Sequence, residues 1–181
     1  TPRRPRLRTP PTPTPTVDPR TLLDPIGVLF QDLIEIEEND YDFIVIDGPP
    51  RVYDVAKSCI AASDLVLIPI QPSPYDVWSA EEVLKLVREV KEPLSSYKDI
   101  KAAFVLNRVI PNSVIGRDVH KILKQYDIPT LKTAIYQRVA YAESASRGTT
   151  TIEEDPDSLA GKEIKKLTEE LVKFGSQNKA D

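Results

Sequence analysis

The stretch YDFIVIDGPPR, residues 41–51, joins an apolar, β-branched run to a carboxylate, a glycine and two prolines. The run at residues 42–47 predicts a buried strand. Asp47 ends that strand, Gly48 lets the backbone approach a ligand closely, and Pro49 stiffens the loop. The aspartate either holds a hard cation such as Mg²⁺ or caps the next helix, and this stretch alone leaves both open.

Further strand-like and helix-like segments alternate along the chain. Their patterns predict strands at residues 64–70, 101–109 and 129–135, and helices at residues 26–38, 52–63, 76–92, 113–127, 139–148 and 157–175. Asp76 and Asp157 are the expected N-caps of two helices, and Gly148 is an expected C-cap. The alternation indicates an α/β fold, a mostly parallel sheet with helices on both faces. Ligands of such sheets bind beyond the carboxyl ends of the strands, where Asp47 and Asn107 fall.

Charge is unevenly distributed along the 181 residues. Residues 1–20 carry five arginines and one aspartate, a balance of +4, whereas the whole chain carries −4. We expect a disordered Pro/Arg-rich segment at residues 1–21, a domain at residues 22–176 and a tail at residues 177–181. The acidic body argues against a protein whose whole surface coats nucleic acid. The single cysteine, Cys59, fits a reducing cytosol, and no apolar run is long enough to span a membrane.

Other polar side chains have roles that the residues alone leave open. In the proline-rich crossing at residues 69–82, Pro69 is expected to end regular pairing and Trp78 to pack on the sheet. Asn107 offers both a donor and an acceptor to a base edge, or it serves only a turn. Arg138 by itself is an ordinary surface cation.

Four segments are more specific together, in their order and spacing, than any one of them alone. They are YDFIVIDGPP (41–50), SDLVLIPIQPSPYDVWSAEEVLKLV (63–87), AFVLNR (103–108) and TAIYQRVAYAESASRGTTTIEEDPDSLAGKEIKKLTEEL (133–171). Together they resemble the ParA/MinD family of deviant-Walker-A ATPases, most closely the small plasmid-partition ParA proteins. The resemblance covers roughly residues 26–175 and implies a P-loop-NTPase-like fold.

The resemblance implies roles for individual residues in binding ATP and Mg²⁺. Asp47 would bind the Mg²⁺ ion, directly or through water, and with Gly48 and Pro49 would form the catalytic γ-phosphate sensor. Asn107 would contact adenine. The nucleotide pocket or dimer face would be lined by the neighbourhoods of Pro72, Asp76, Thr133 and Arg138.

The resemblance also implies partners. Family members form homodimers around ATP, bind DNA non-specifically and are stimulated by a centromere-binding ParB-type protein. This implies a cytoplasmic, nucleoid-associated protein, and the mixed charge of the last helix disfavours a membrane. The candidate DNA contacts are Arg117, Lys121, Arg138 and Arg147. A few phosphate contacts on an acidic body would give weak, salt-sensitive binding.

The beginning of this sequence departs from the family pattern. Its six glycines, at positions 27, 48, 116, 148, 161 and 175, form no G-x-x-x-x-G-K-[ST] phosphate loop. We therefore expect an incomplete nucleotide-binding domain in which the N-terminal strand, loop and helix are absent. Positioning and electrostatics supply most of the catalysis of phosphoryl transfer, so we predict that this chain does not hydrolyse ATP. The alternative function is a non-catalytic module that pairs with an intact ParA or its ParB-type partner.

Overall fold

The computed structural model describes residues 41–48 and 53–176, apart from the side chains of residues 114–117. The chain divides into two compact units, Thr1–Ile44 and Val45–Asp181. The predictions for residues 1–38, for Pro49 and for the tail at residues 177–181 lie outside the described residues. The described part of the first unit, residues 41–44, is exposed and forms neither helix nor strand.

The described part of the second unit contains two strands and six helices. In chain order they are α1 (Tyr53–Ala62), β1 (Leu65–Ile70), α2 (Pro74–Leu94), β2 (Lys101–Leu106), α3 (Val114–Leu123), α4 (Val139–Ser146), α5 (Thr151–Glu154) and α6 (Leu159–Ser176). Strands and helices alternate as far as α3, which confirms the α/β pattern of that part of the sequence.

Strands β1 and β2 pair in parallel from Leu65 opposite Lys101 to Ile70 opposite Leu106. Pairing therefore continues through Pro69, and the expectation that it stops there is wrong. The Ile70 carbonyl faces β2, where it accepts the Asn107 N–H at 2.8 Å. The N–H and C=O groups of successive strand residues point to opposite edges, so the nitrogen of Pro69, which has no hydrogen, lies on the edge that faces away from β2.

Helices cover both faces of this sheet, as predicted. One face of β1 and β2 packs on α2 and α3 through a cluster that includes Ile68, Phe104, Leu84 and Leu123. The opposite face packs on α6 through Ala103, Val105 and Leu67 on the sheet and Leu167, Leu171 and Phe174 on the helix. The strands are buried on both sides, which explains why they read as apolar runs.

The stretch at residues 42–47 is not a strand in the structure, contrary to the prediction. Phe43 is 71% exposed and Val45 is 93% exposed, and Asp47 is also exposed. A β-branched run becomes a strand only when a neighbouring strand supplies ladder hydrogen bonds, and within the described residues β1 pairs with β2 alone.

The segment predicted as a strand at residues 129–135 runs beside β2 without forming a regular strand. The Leu131 N–H donates to the Phe104 carbonyl at 2.8 Å, and the next bond to β2 comes from Ile135 to Leu106 at 2.8 Å. A regular parallel ladder would use the residue two positions earlier. That residue, Thr133, instead donates its N–H to the Glu170 carboxylate of α6 at 2.8 Å.

Several helix ends differ from their predicted positions. Helix α2 begins after Ser73 with Pro74 in its first turn, so Asp76 lies inside the helix and is not its N-cap. Ser158, not Asp157, serves the start of α6, since its hydroxyl accepts the Gly161 N–H at 3.0 Å. These starts were missed because capping depends on where the chain turns, and nearby polar residues compete for the same position.

Two further ends involve α4 and α5. The C-cap of α4 is Arg147, one position before the expected C-cap, Gly148, which follows it with a φ of 69°. Helix α5 follows it and begins with a capping box between Thr150 and Glu153, which the sequence pattern did not predict.

Gly161 is predicted to be essential for packing α6, whereas Gly175 of the same helix is not. A Cβ at Gly161 would lie 2.7 Å from the Asp155 carbonyl oxygen and 3.0 Å from Pro156, and one at Gly175 would meet nothing within 4 Å. We expect Gly161→Ala to lower the free energy of unfolding by about 1–3 kcal/mol. Gly175→Ala should leave it unchanged or raise it by up to about 1 kcal/mol. Urea unfolding followed by circular dichroism measures both, and equal effects would contradict the close approach.

Candidate functional site

The carboxyl ends of β1 and β2 lie side by side, because the Asn107 N–H donates to the Ile70 carbonyl at the last pair of the ladder. The half-buried Pro72 follows β1, and the half-buried Asn107 follows β2. Two residues predicted from the sequence to contact nucleotide therefore lie at the same edge of the sheet. Ligands of parallel sheets bind at this edge.

Arg108 forms a one-residue bulge immediately after β2. Ile135 donates to Leu106 and accepts from Val109 at 3.0 Å, whereas a regular parallel ladder would use Arg108 for the second bond. The Arg108 φ is 52°, in the left-handed region. Its N–H is bonded by the Asn107 Oδ1 at 2.9 Å instead of by a strand. A left-handed conformation in a residue other than glycine costs roughly 1–3 kcal/mol, and bulges of this kind re-aim side chains.

Asn107 keeps a donor available to a ligand. Its carbonyl oxygen is used by the Arg108 N–H, which leaves the two hydrogens of its amide nitrogen. The sequence predicted a site role for Asn107 and none for Arg108. No local residue signal marks this bulge, because it depends on the register of a segment some thirty residues further along the chain, at Ile135–Gln137.

The described residues predicted to be catalytic, Asp47 and Gly48, lie in a segment that is not paired with β1 or β2. Asp47 and Gly48 are exposed, and a Cβ at Gly48 would meet nothing within 4 Å. No hydrogen bond or ion pair of the described residues joins Asp47 to Asn107. Asp76 lies in the first turn of α2, where a carboxylate is favoured by the helix dipole. The roles of these residues stay predictions.

Thr133 lies under α6 and donates its N–H to a carboxylate of that helix, Glu170. It is 4% exposed, and its neighbour Lys132 donates its N–H to the same Glu170 carboxylate at 2.7 Å. Burial opposes ionisation of Glu170, but the hydrogen bonds from Thr133 and from the Lys132 amide outweigh it and lower the pKa of that carboxyl.

Arg138 is held by Glu163, which lies seven residues before Glu170 on α6. Its Nε donates to Glu163 Oε1 at 2.9 Å, and the two side chains are 25% and 13% exposed. Glu163 also accepts the Tyr136 N–H at 3.2 Å and the Tyr141 hydroxyl at 3.0 Å. Burial, and then this bond to Glu163, raise the pKa of Tyr141.

The other predicted DNA contacts in the described residues are also paired with acids. Arg147 donates to both carboxylate oxygens of Glu154, at 2.7 and 2.6 Å. Lys121 pairs with Asp118 at 3.1 Å, and the side chain of Arg117 lies outside the described residues. Three of the four candidate cations therefore have part of their charge neutralised within the chain, so their assignment to DNA rests on the resemblance alone.

An open cavity of about 430 Å³ lies at the opposite end of the sheet, where β2 begins. Its charged lining residues pair with one another, Lys91 with Asp99 at 3.2 Å and Arg88 with Asp127 at 3.5 Å. Lys101 donates to the Phe174 and Gly175 carbonyls at the end of α6. These contacts join α2 to residues outside the helices and β2 to the end of α6, and the cavity is not at the edge where the predicted nucleotide residues lie.

The described residues contain neither a cluster of metal-ligating side chains nor a membrane-spanning helix. Within residues 41–48 and 53–176, no group of three or more His, Cys, Asp or Glu side chains is arranged to hold a metal ion. No helix in the same ranges is long and apolar enough to cross a membrane.

Comparisons with known proteins extend this picture. A family model described as an AAA domain matches residues 21–102. The maintenance of carboxysome distribution protein A of Halothiobacillus neapolitanus is 28% identical over 117 residues, 64% of this chain and 52% of that protein. The sporulation initiation inhibitor protein Soj of Bacillus subtilis is 26% identical over 142 residues, 78% of this chain and 56% of that protein. A ParA family protein of Chlamydia pneumoniae is 26% identical over 137 residues, 75% of this chain and 52% of that protein.

A solved structure of a protein named Partition Protein has the same fold. It superposes with a TM-score of 0.57 at 19% sequence identity, over 86% of this chain and 42% of that chain. The fold is thus α/β and of the P-loop-NTPase type. The relatives that the chain matches include Soj and proteins of the ParA family, to which it is similar at 26–28% identity. The chain spans about half the length of the curated relatives it matches.

Glu163→Gln tests whether α6 carboxylates hold the segment beside β2. The change removes the charge that bonds Arg138, Tyr141 and a backbone amide, so we expect the free energy of unfolding to fall by about 1–3 kcal/mol. Glu169→Gln, on the exposed face of the same helix, is the matched control and should change it by less than about 0.5 kcal/mol. Urea unfolding measures both, and indistinguishable variants would refute the holding role.

The Arg147–Glu154 pair predicts a specific titration. Hydrogen bonds from Arg147 and then Thr149 lower the pKa of Glu154 from 4.5 to about 2. A lowered pKa means that the pair's contribution to stability is present above pH 4.5 and is lost as the pH falls towards 2.

Carboxyl-carbon NMR should find the Glu154 midpoint near 2 in the unaltered chain. Arg147→Ala should move the midpoint most of the way back to 4.5, and Thr149→Val should move it less. An unaltered chain that titrates at 4.5 would show that the pair does not form in solution.

Proposed function

We propose that this chain acts as a ParA-type partition protein, in which Mg²⁺-ATP binding is coupled to homodimerisation and non-specific DNA binding in plasmid or chromosome segregation. A ParB-type protein is the proposed partner. The observation that carries the proposal is Asn107, which lies at the carboxyl edge of the sheet with its amide donors unused by the backbone. The similarity to Soj and to ParA family proteins supports the same nucleotide.

The geometry of Asn107 suits an adenine base. Its Oδ1 is bonded to the backbone, so the side chain is fixed in orientation and presents donors to acceptor nitrogens of a base. Pro72 beside it supplies an apolar, stiff wall at the same edge. A fixed amide selects among purines through hydrogen bonds that the wrong base leaves unpaired.

Asp47 is the proposed Mg²⁺ ligand. Magnesium in nucleotide sites takes one or two carboxylates together with phosphate oxygens and waters, so a single aspartate is a sufficient protein ligand. The exposed position of Asp47 leaves its oxygens accessible to the ion. When bound, Mg²⁺ supplies positive charge that orients the phosphates and neutralises them.

We propose that the 181-residue chain does not itself turn ATP over, since its sequence contains no G-x-x-x-x-G-K-[ST] loop to hold the phosphates. The names of the relatives include carboxysome distribution and sporulation initiation as well as the ParA family, so they do not distinguish between a plasmid and a chromosome as the cargo.

A second candidate function is a non-catalytic module that pairs with an intact ParA or its ParB-type partner. An exposed aromatic pair favours it. Tyr75 is 75% exposed and Trp78 is 63% exposed, with ring centroids 5.6 Å apart at the start of α2, so the prediction that Trp78 packs on the sheet is wrong. Exposed aromatic side chains are enriched where proteins bind other proteins. Loss of co-purification with an intact ParA in Trp78→Ala would favour this candidate.

Calorimetry and a phosphate-release assay test the nucleotide function together. We expect the purified chain to bind Mg²⁺-ATP in preference to Mg²⁺-GTP and to release no phosphate. Asn107→Ala should weaken ATP binding about tenfold, the effect of one lost hydrogen bond, and should abolish the preference. Gln125→Ala, which removes an exposed amide next to α3, is the control and should bind as the unaltered chain does.

Two results would contradict the proposed adenine site and the proposed lack of ATP turnover separately. Equal binding of ATP and GTP that Asn107→Ala leaves unchanged would remove the adenine site. Mg²⁺-dependent turnover that Asp47→Ala abolishes would show that another segment holds the phosphates and that the chain is an active ATPase.

A further inference from the structure

The side chain of Arg108 is placed by a bulge and not by packing. The hydrogen bonds to residues 135–137 come from Leu106 and Val109, and Arg108 makes none of them. The Asn107 carboxamide bonds the amide that the bulge leaves unpaired. Both sides of Arg108 are thus held by hydrogen bonds, and the side chain is exposed at the carboxyl edge of the sheet.

An arginine is an unfavourable residue for this backbone position. The φ of Arg108 is 52°, in the left-handed region. Glycine adopts a positive φ without steric cost and asparagine tolerates it, whereas arginine is strained there. The Arg108 guanidinium makes no hydrogen bond or ion pair with any described residue, so folding gains nothing visible from it. The strained position is therefore occupied by a side chain whose guanidinium is exposed and available to a ligand.

The charge of Arg108 is isolated at this edge. Among residues 71–73, which follow β1, and residues 107–113, which follow β2, Arg108 is the one charged residue. Elsewhere Arg138 and Arg147 already have acid partners. A planar guanidinium without an acid partner is complementary to a phosphate group, which it binds through two parallel hydrogen bonds.

We infer that Arg108 binds a phosphate group at the carboxyl edge of the sheet. Two sources present that chemistry: the phosphates of the nucleotide whose base Asn107 contacts, and the backbone of a nucleic acid. For the nucleotide source, the inference rests on the proposed function and adds a phosphate contact to the same site. For the nucleic-acid source, it stands without the adenine site.

Three variants separate charge, strain and shape. Arg108→Gly and Arg108→Asn relieve the strained φ and remove the charge, so the melting temperature should stay level or rise while phosphate binding weakens about 10- to 100-fold. Arg108→Lys keeps the charge without the planar fork and should retain part of the binding. Lys124→Asn, the same charge change at another exposed position, should bind as the unaltered chain does.

NMR of the isotope-labelled full chain follows the Arg108 Nε–H and the amides of residues 107–109 in three titrations. The probes are Mg²⁺-ATP, tripolyphosphate and a short DNA duplex of arbitrary sequence. Saturable shifts at Arg108 with ATP and tripolyphosphate, weakened in Arg108→Gly and Arg108→Asn, support a nucleotide phosphate. Shifts at Arg108 with the duplex alone support a nucleic-acid phosphate and count against the proposed nucleotide function.

The inference is overturned if none of the three probes perturbs Arg108, or if Arg108→Gly and Arg108→Asn bind them as tightly as the unaltered chain. In that case, ATP binding that still depends on Asn107 would leave the proposed function standing. The two failures are therefore distinguishable within one set of spectra.

Discussion

Two glutamates of α6 hold the chain segment that completes the sheet. Glu170 accepts hydrogen bonds from the N–H groups of Lys132 and Thr133. Glu163 accepts hydrogen bonds from the N–H of Tyr136 and from the Arg138 guanidinium. These carboxylates bond amides that a further strand would otherwise pair. Residues 131–137 therefore make hydrogen bonds to β2 on one edge and to α6 on the other. Their ladder with β2 is interrupted at Thr133, whose N–H donates to Glu170 of α6.

This constraint reaches the candidate site through the register of the ladder. Ile135 makes the hydrogen bond to Leu106 that Thr133 would make in a regular ladder. The register between the two segments therefore changes, and the next bond comes from Val109, which leaves Arg108 in a bulge. Asn107 then has two roles, since its carbonyl bonds the bulged amide and its amino group remains for a ligand. Helix α6, which contributes no residue to the candidate site, thereby positions the residues that form it.

The ion pairs of the chain divide its cations into two groups. Arg138 and Arg147 are bonded by glutamates of the same chain, and their guanidinium groups stabilise the fold. Arg108 has no such partner in the described part of the chain. A sequence shows the number of cations but not their partners, so these arginines look equivalent until the fold brings distant acids to some of them.

The sequence by itself determined the α/β class, strands β1 and β2, and most of the helices, because apolar periodicity records which faces are buried. It also placed Asn107 directly after the end of a clear strand, and the site role predicted for it stays a prediction. Only the tertiary structure decided that residues 42–47 form no strand, that residues 129–135 pair irregularly and that Arg108 bulges. Each of these depends on hydrogen bonds between segments far apart in the chain, and local residue patterns carry no information about such partners.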